Sequence, residues 1–165
     1  MNYKLKVEKR DYSSYTIISH LTYQEVELSD FTPAKHHLFH EDVFQKDEDS
    51  INIVHSIVRN SSYIPGVLVT TQTYGKYKDK SLYKCLPDDT RLPAFLIPYT
   101  PKIGFAKQKT SKYVVFRFAD WSSRHPRGVL LNVLGDVEDL NAFYEYEMYC
   151  RSLYASIKPG HLFFL

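Results

Sequence analysis

Five short runs of β-branched and aromatic residues lie between residues 67 and 134, separated by turn residues, and they limit the fold more than any other feature. The runs are Val67–Tyr74, Ser81–Leu86, Ala94–Tyr99, Lys112–Phe118 and Gly128–Leu134. Side chains of these kinds favour a pleated, half-buried surface. A polar turn over Gly75 to Asp79 joins the first two runs, and Pro93 and Pro101 bracket the third, which suits an edge or bulged strand. A longer connection follows the third run. This order fits a five-stranded, partly open Greek-key barrel of the OB type, and a fragment of a β-sandwich fits the spacing too.

The period then changes. Leu140, Phe143, Tyr144, Met148, Leu153 and Tyr154 recur at helical spacing, with Asp136 or Asp139 placed to cap the N-terminus and Pro159-Gly160 to end the helix. That stripe reads as the helix face that packs on the core. Upstream, the turn at Asn60–Gly66 is the best boundary. Tyr15–His20, Tyr23–Leu28 and Ile51–Val58 read as strands, Lys35–Val43 as a short helical turn entering another strand, and Glu41–Ser50 as an acidic loop. The expected protein is mainly β. A β-rich N-terminal portion covers residues 1–62, and a five-stranded barrel with a C-terminal α-helix covers residues 63–165.

Composition narrows the function classes. The chain has 14 Tyr and 10 Phe among 165 residues, so aromatic rings can serve either as core or as stacking platforms. The net charge of +2 is not that of a strongly basic nucleic-acid binder. Its distribution is uneven. Lys102, Lys107, Lys109, Lys112, Arg117, Arg124 and Arg127 face a single acid, Asp120, in one stretch, whereas Asp136–Glu147 carries acids and no Lys or Arg. That pattern suits either a local positive face or ordinary surface solubility. Cys85 and Cys150 are too few and too far apart for a disulfide framework or a zinc site. They read as buried thiols of a reducing compartment. No apolar run reaches the length of a membrane span and no secretory signal is evident, so a soluble intracellular chain with no membrane partner is expected.

Two dense motifs carry a resemblance. Pro87, Asp89, Arg91, Leu92 and Pro93 match a Pro-x-Asp-x-Arg-apolar-Pro segment. Trp121, Ser123, Arg124, Pro126 and Gly128, then Leu134-Gly135-Asp136-Val137 and an acidic helix, follow in order. Over residues 64–155 the chain resembles the second cold-shock-type barrel of RNase II/RNB-family exoribonucleases. Leu38–Val43 stands where the family's first barrel has Leu-x-Gly-Asp-x-Val, with Glu41 in place of the glycine, so the N-terminal portion resembles an incomplete or degenerate first barrel. The resemblance implies a module that guides single-stranded RNA. The family's catalytic aspartate cluster has no counterpart, since Asp88-Asp89 is the one adjacent pair and lies within the barrel motif. Two-metal hydrolysis needs several convergent carboxylates. No catalytic residue, metal ligand or cofactor is therefore assigned, and the chain reads as non-catalytic.

The RNA-binding candidates are Tyr74, Lys76, Tyr77, Lys78, Lys80, Tyr83 and Lys84, which interleave rings and cations around one hairpin, together with Arg124, His125 and Arg127. The alternative is a solvated hairpin whose tyrosines cover strand edges. Trp121 reads as a plug at one barrel end, with Arg91 or Arg124 paired to Asp88, Asp89 or Asp136. His36 and His40 share a helical face only if the segment is helical, and the Glu of a His-Glu-x-x-His protease is missing. The second functional expectation is a protein-interaction module on the same scaffold. In that reading the helix and tail (Tyr146, Tyr149, Tyr154 and Leu162–Leu165) meet a partner protein or a second copy.

Overall fold

Strict alternation builds the first strand. In β1 (Tyr3–Val7), Leu5 and Val7 are buried, while Lys4 and Lys6 both reach the carboxylate of Glu41 on the other side. The computed structural model describes residues 1–101 and 110–151 of the chain. Around β1 lie β2 (Tyr15–Ser19), β3 (Glu25–Val26), β4 (Val43–Lys46) and β5 (Ile51–His55), paired in the order β3-β2-β1-β4-β5. A single helical turn, α1 (Ile57–Asn60), is capped by the Ser56 hydroxyl, which accepts from the Arg59 amide.

The second sheet contains β6 (Ile64–Tyr77), β7 (Lys80–Pro87), β8 (Phe95–Pro98), β9 (Lys112–Asp120) and β10 (Arg127–Asp136). It closes into a barrel in the order β10-β8-β7-β6-β9. Counted within each sheet, the pairing order is the same. The first strand lies between the second and the fourth, with the third and fifth outside them. The barrel adds one ladder, the parallel pairing of β10 with β8 at Arg127 and Leu96, and that ladder has no counterpart between β5 and β3. All five expected barrel strands are present, and the barrel is closed rather than partly open.

Several local expectations change. β6 runs three residues beyond Tyr74, so the hairpin turn is only Lys78-Asp79, with φ of 47° and 69°. Two successive left-handed residues match the twist of a two-residue hairpin, and they replace the longer turn over Gly75–Asp79. Pro65 and Gly66 lie inside β6 rather than in the expected turn. The acidic stretch Glu41–Ser50 contains β4. A bulge between Val43 and Phe44 buries both in succession and hides the strand's alternation. Lys35–Val43 is not helical, and His37 (φ 58°) and Glu41 (φ 71°) bend the chain there instead.

One core spans both sheets. Leu5, Val7, Ile17, Leu38 and Phe44 belong to the same buried cluster as Leu68, Phe95, Ile97, Val114 and Phe116. Phe39 is the joint. Its ring is fully buried, lies parallel to Phe95 at 5.6 Å, meets Phe118 edge-on at 5.6 Å and contacts Trp121 at 4.7 Å.

α2 (Leu140–Cys150) starts at Asp139, whose carboxylate accepts from the Asn141 amide. Its buried face is Ala142 and Tyr146, not the predicted stripe; Leu140, Phe143 and Tyr144 are exposed. The helix is turned this way because Tyr146 stacks on Tyr113 at 4.5 Å and Ala142 sits on Gly135. Leu153, Tyr154, Pro159-Gly160 and the tail lie outside the described residues. Gly135 has φ 148°, and a Cβ added there would come 2.8 Å from that of Ala142. Gly135→Ala is expected to destabilise the protein by about 1–3 kcal/mol, from overpacking and backbone strain. Urea unfolding measures this directly.

Candidate nucleic-acid interface

The motif that carries the resemblance is mostly framework. The Asp89 carboxylate accepts from the Arg91 amide at 3.0 Å and from its guanidinium at 2.9 and 3.0 Å. Arg10, from the loop after β1, donates to the carbonyls of Pro87 and Leu92, each at 2.8 Å, and ties the motif to the first sheet. Trp121 is buried and stacks on His37 at 4.9 Å, so it fills the junction between the sheets. Its indole N–H donates to the Arg124 carbonyl at 3.3 Å. Of the ion pairs expected here, Arg91–Asp89 forms, whereas Asp136 pairs with Lys112.

The histidines of the first sheet do not converge. His36 Nδ1 lies 2.9 Å from the Thr32 carbonyl, and His40 Nδ1 accepts from the Val7 amide at 2.9 Å. Among the described residues no group of three His, Cys, Asp or Glu is placed to hold a metal ion. Neither thiol is primed as a nucleophile. Burial pushes Cys85 far up, and burial together with Asp88 pushes Cys150 up to about 12. Among the described residues no helix is long and apolar enough to cross a membrane.

The hairpin of β6 and β7 brings most candidates together. Lys76, Lys78 and Lys80 are exposed around its tip. Lys84 places its ammonium 4.7 Å from the centre of the Tyr74 ring, and the Arg127 guanidinium lies 3.9 Å from that of Tyr77. Such cation–π contacts hold flexible side chains in one orientation. Arg127 also donates to the Asp120 carboxylate, from Nε at 3.0 Å and from a terminal nitrogen. Its charge is therefore already paired. Arg124 is exposed in the loop after β9. His125 sits half-buried nearby; burial, then the charges of Lys84 and Arg124, lower its pKa, so near neutral pH it is an uncharged ring.

Tyr83 differs from its companions. It is buried and packs edge-on against Tyr99 at 5.9 Å, because its position in β7 points into the barrel. Its ring is core, which removes it from the exposed set. Lys112 and Arg127 are paired with acids, so the expected basic stretch keeps few uncompensated charges; Lys102, Lys107 and Lys109 lie outside the described residues.

Beside the hairpin lies a groove of about 510 Å³. The hairpin forms one wall through Tyr77, Lys78 and Lys80, and Pro98, Tyr99 and Leu130 form the other, with Arg127 between. Sequence reasoning missed Pro98, Tyr99 and Leu130. The β7–β8 ladder sets Pro98 opposite Leu82, and the Tyr99 amide donates to the Ser81 carbonyl, whereas Leu130 reaches this side through the closure of β10 against β8.

A closed five-stranded barrel with this strand order, carrying cations and rings along one hairpin, is an OB/cold-shock-type domain. Residues 82–145 match the family of the Dis3-like cold-shock domain 2 (CSD2). In fold, the chain is similar to yeast Ssd1, described as a pseudonuclease, with TM-score 0.60 and 14% identity over 90% of this chain and 24% of that one. It is also similar to Mycoplasma genitalium RNase R in complex with ribose-methylated single-stranded RNA, with TM-score 0.53 and 13% identity over 92% of this chain and 24% of that one. The chain thus spans about a quarter of each and resembles the OB/cold-shock region of RNB-family proteins. No curated protein matches it significantly in sequence.

Proposed function

We propose that this chain binds single-stranded RNA along the β6–β7 hairpin and the groove beside it, as the non-catalytic front end of an RNB-type exoribonuclease or of a relative without nuclease activity. The observation that carries this reading is the hairpin itself. Exposed Lys76, Lys78 and Lys80 surround Tyr74 and Tyr77, whose rings are held by Lys84 and Arg127. Lysines neutralise phosphates and rings stack on unpaired bases, which is the combination a single strand needs. The resemblance to an RNase R that carries single-stranded RNA supports it. In the same reading, residues 1–62 are a first barrel left open, with the barrel pairing order but without the closing ladder.

Anisotropy titration of a labelled oligo-RNA against salt tests the proposal. Replacing Lys76, Lys78 and Lys80 by alanine together is expected to weaken binding and to flatten the log–log salt dependence by about 0.7 for each phosphate no longer neutralised. Absence of RNA affinity at low salt defeats the proposal. The second reading, protein docking through α2, loses Tyr146, which is buried, and draws instead on the exposed Leu140, Phe143 and Tyr144. A stable oligomer on size exclusion, with indifference to RNA, favours that one.

A further inference from the structure

We propose that the groove between the hairpin and β8/β10 is a slot for one unstacked nucleobase of the bound strand. The base lies against the Tyr77–Arg127 pair and Tyr99, while Lys78 and Lys80 take the flanking phosphates; the inference rests on the single-strand reading above. The volume, about 510 Å³, falls within the ~300–1,000 Å³ of small-ligand sites, so one base with its sugar fits. The walls are chiefly ring and aliphatic surface (Tyr77, Tyr99, Pro98, Leu130), and the lysines stand on the hairpin side. An apolar peptide would use those walls but has no need of the lysines, whereas a nucleotide uses both. Stacking against flat surfaces tolerates any base, so little sequence preference is expected.

Arg127 is a positioning residue in this site. Asp120 already satisfies its charge, and its guanidinium plane backs the Tyr77 ring at 3.9 Å. It fixes the ring rather than gripping phosphate. Its neighbour across the closing ladder, Leu96, belongs to the strand that leads to Pro98 and Tyr99, so both walls are registered by the barrel itself.

The test compares a uridine hexamer with the corresponding abasic ribose-phosphate hexamer, both labelled and titrated against salt. The full chain is expected to prefer the base-bearing strand by at least about tenfold. Tyr77→Ala should cut that preference about tenfold with an unchanged salt slope, and Tyr77→Phe should restore it. The double variant Asp120→Asn/Arg127→Gln should also lower the preference without changing the slope, which a phosphate-binding arginine would not do. Lys78→Ala/Lys80→Ala should weaken both strands equally and flatten both slopes. If the chain binds the uridine hexamer but Tyr77→Ala leaves the preference intact, the slot is wrong and RNA binding stands. If it binds neither strand, both readings fall.

Discussion

Replacing Phe39 by alanine is expected to lower the unfolding free energy by about 3–5 kcal/mol. Phe39 belongs in sequence to the first sheet, yet its ring packs against Phe95, Phe118 and Trp121 of the barrel. Arg59 covers it from above, with its guanidinium 5.4 Å from the Phe39 ring and 4.6 Å from that of Phe118. Removing the ring leaves a cavity that neither sheet can close alone, since each is held in shape by its own ladders. Denaturant unfolding should show a lower midpoint and still one transition. A loss below about 1 kcal/mol would mean that the sheets do not share a core.

The second large effect is a pH dependence. Asp42 is fully buried, and burial raises its pKa from the ordinary carboxylate value to about 6. Hydrogen bonds from the Ser56 hydroxyl at 2.5 Å and the Phe39 amide at 2.8 Å, and the charges of Arg59 and His55, oppose that rise without cancelling it. Folded Asp42 therefore keeps its proton to a higher pH than the unfolded chain does. Its contribution to stability is complete below about pH 4 and is lost as pH rises through about 6, amounting to about 3 kcal/mol. His37 and His40 work in the opposite direction, because burial lowers their pKa values. The comparison must accordingly be made against Asp42→Asn, whose amide can still accept from Phe39. Relative to wild type, that variant should gain about 3 kcal/mol between pH 4 and pH 7. A constant difference across that range would place the Asp42 pKa near its ordinary value.

The barrel was legible because its strands obey local rules. Val67–Val69, Cys85 and Val114–Phe116 announce themselves by residue type, and the turn at Lys78-Asp79 by polarity. The first sheet was harder to read. The bulge at Val43 breaks the period along β4 and blurs its extent, and the strand expected over Tyr23–Leu28 shrinks to the two residues of β3. β1 went unread, although Tyr3, Leu5 and Val7 alternate with lysines. The helix misled because its large side chains recur at helical spacing, whereas the small Ala142 is what allows close approach to Gly135. Within the candidate site, the lysine–tyrosine hairpin is a local pattern and could be named. In the opposite wall, Pro98 and Tyr99 depend on the register of β8 against β7 and Leu130 on the long-range closing ladder, and the burial of Tyr83 depends on which face β7 turns inward.

The passage of Phe39 into the barrel also bears on how such a protein can be divided. The matched segment, residues 82–145, omits β6, which pairs with both β7 and β9, and it omits the ring that caps the barrel floor. An excised barrel beginning at residue 63 would show Phe95, Phe118 and Trp121 to water, a sticky end rather than a clean cut. Designers grafting this barrel should carry the loop with Phe39, or fill its place with a residue of equal bulk. In lineages that keep both sheets, positions 39 and 95 are expected to trade volume, one growing where the other shrinks.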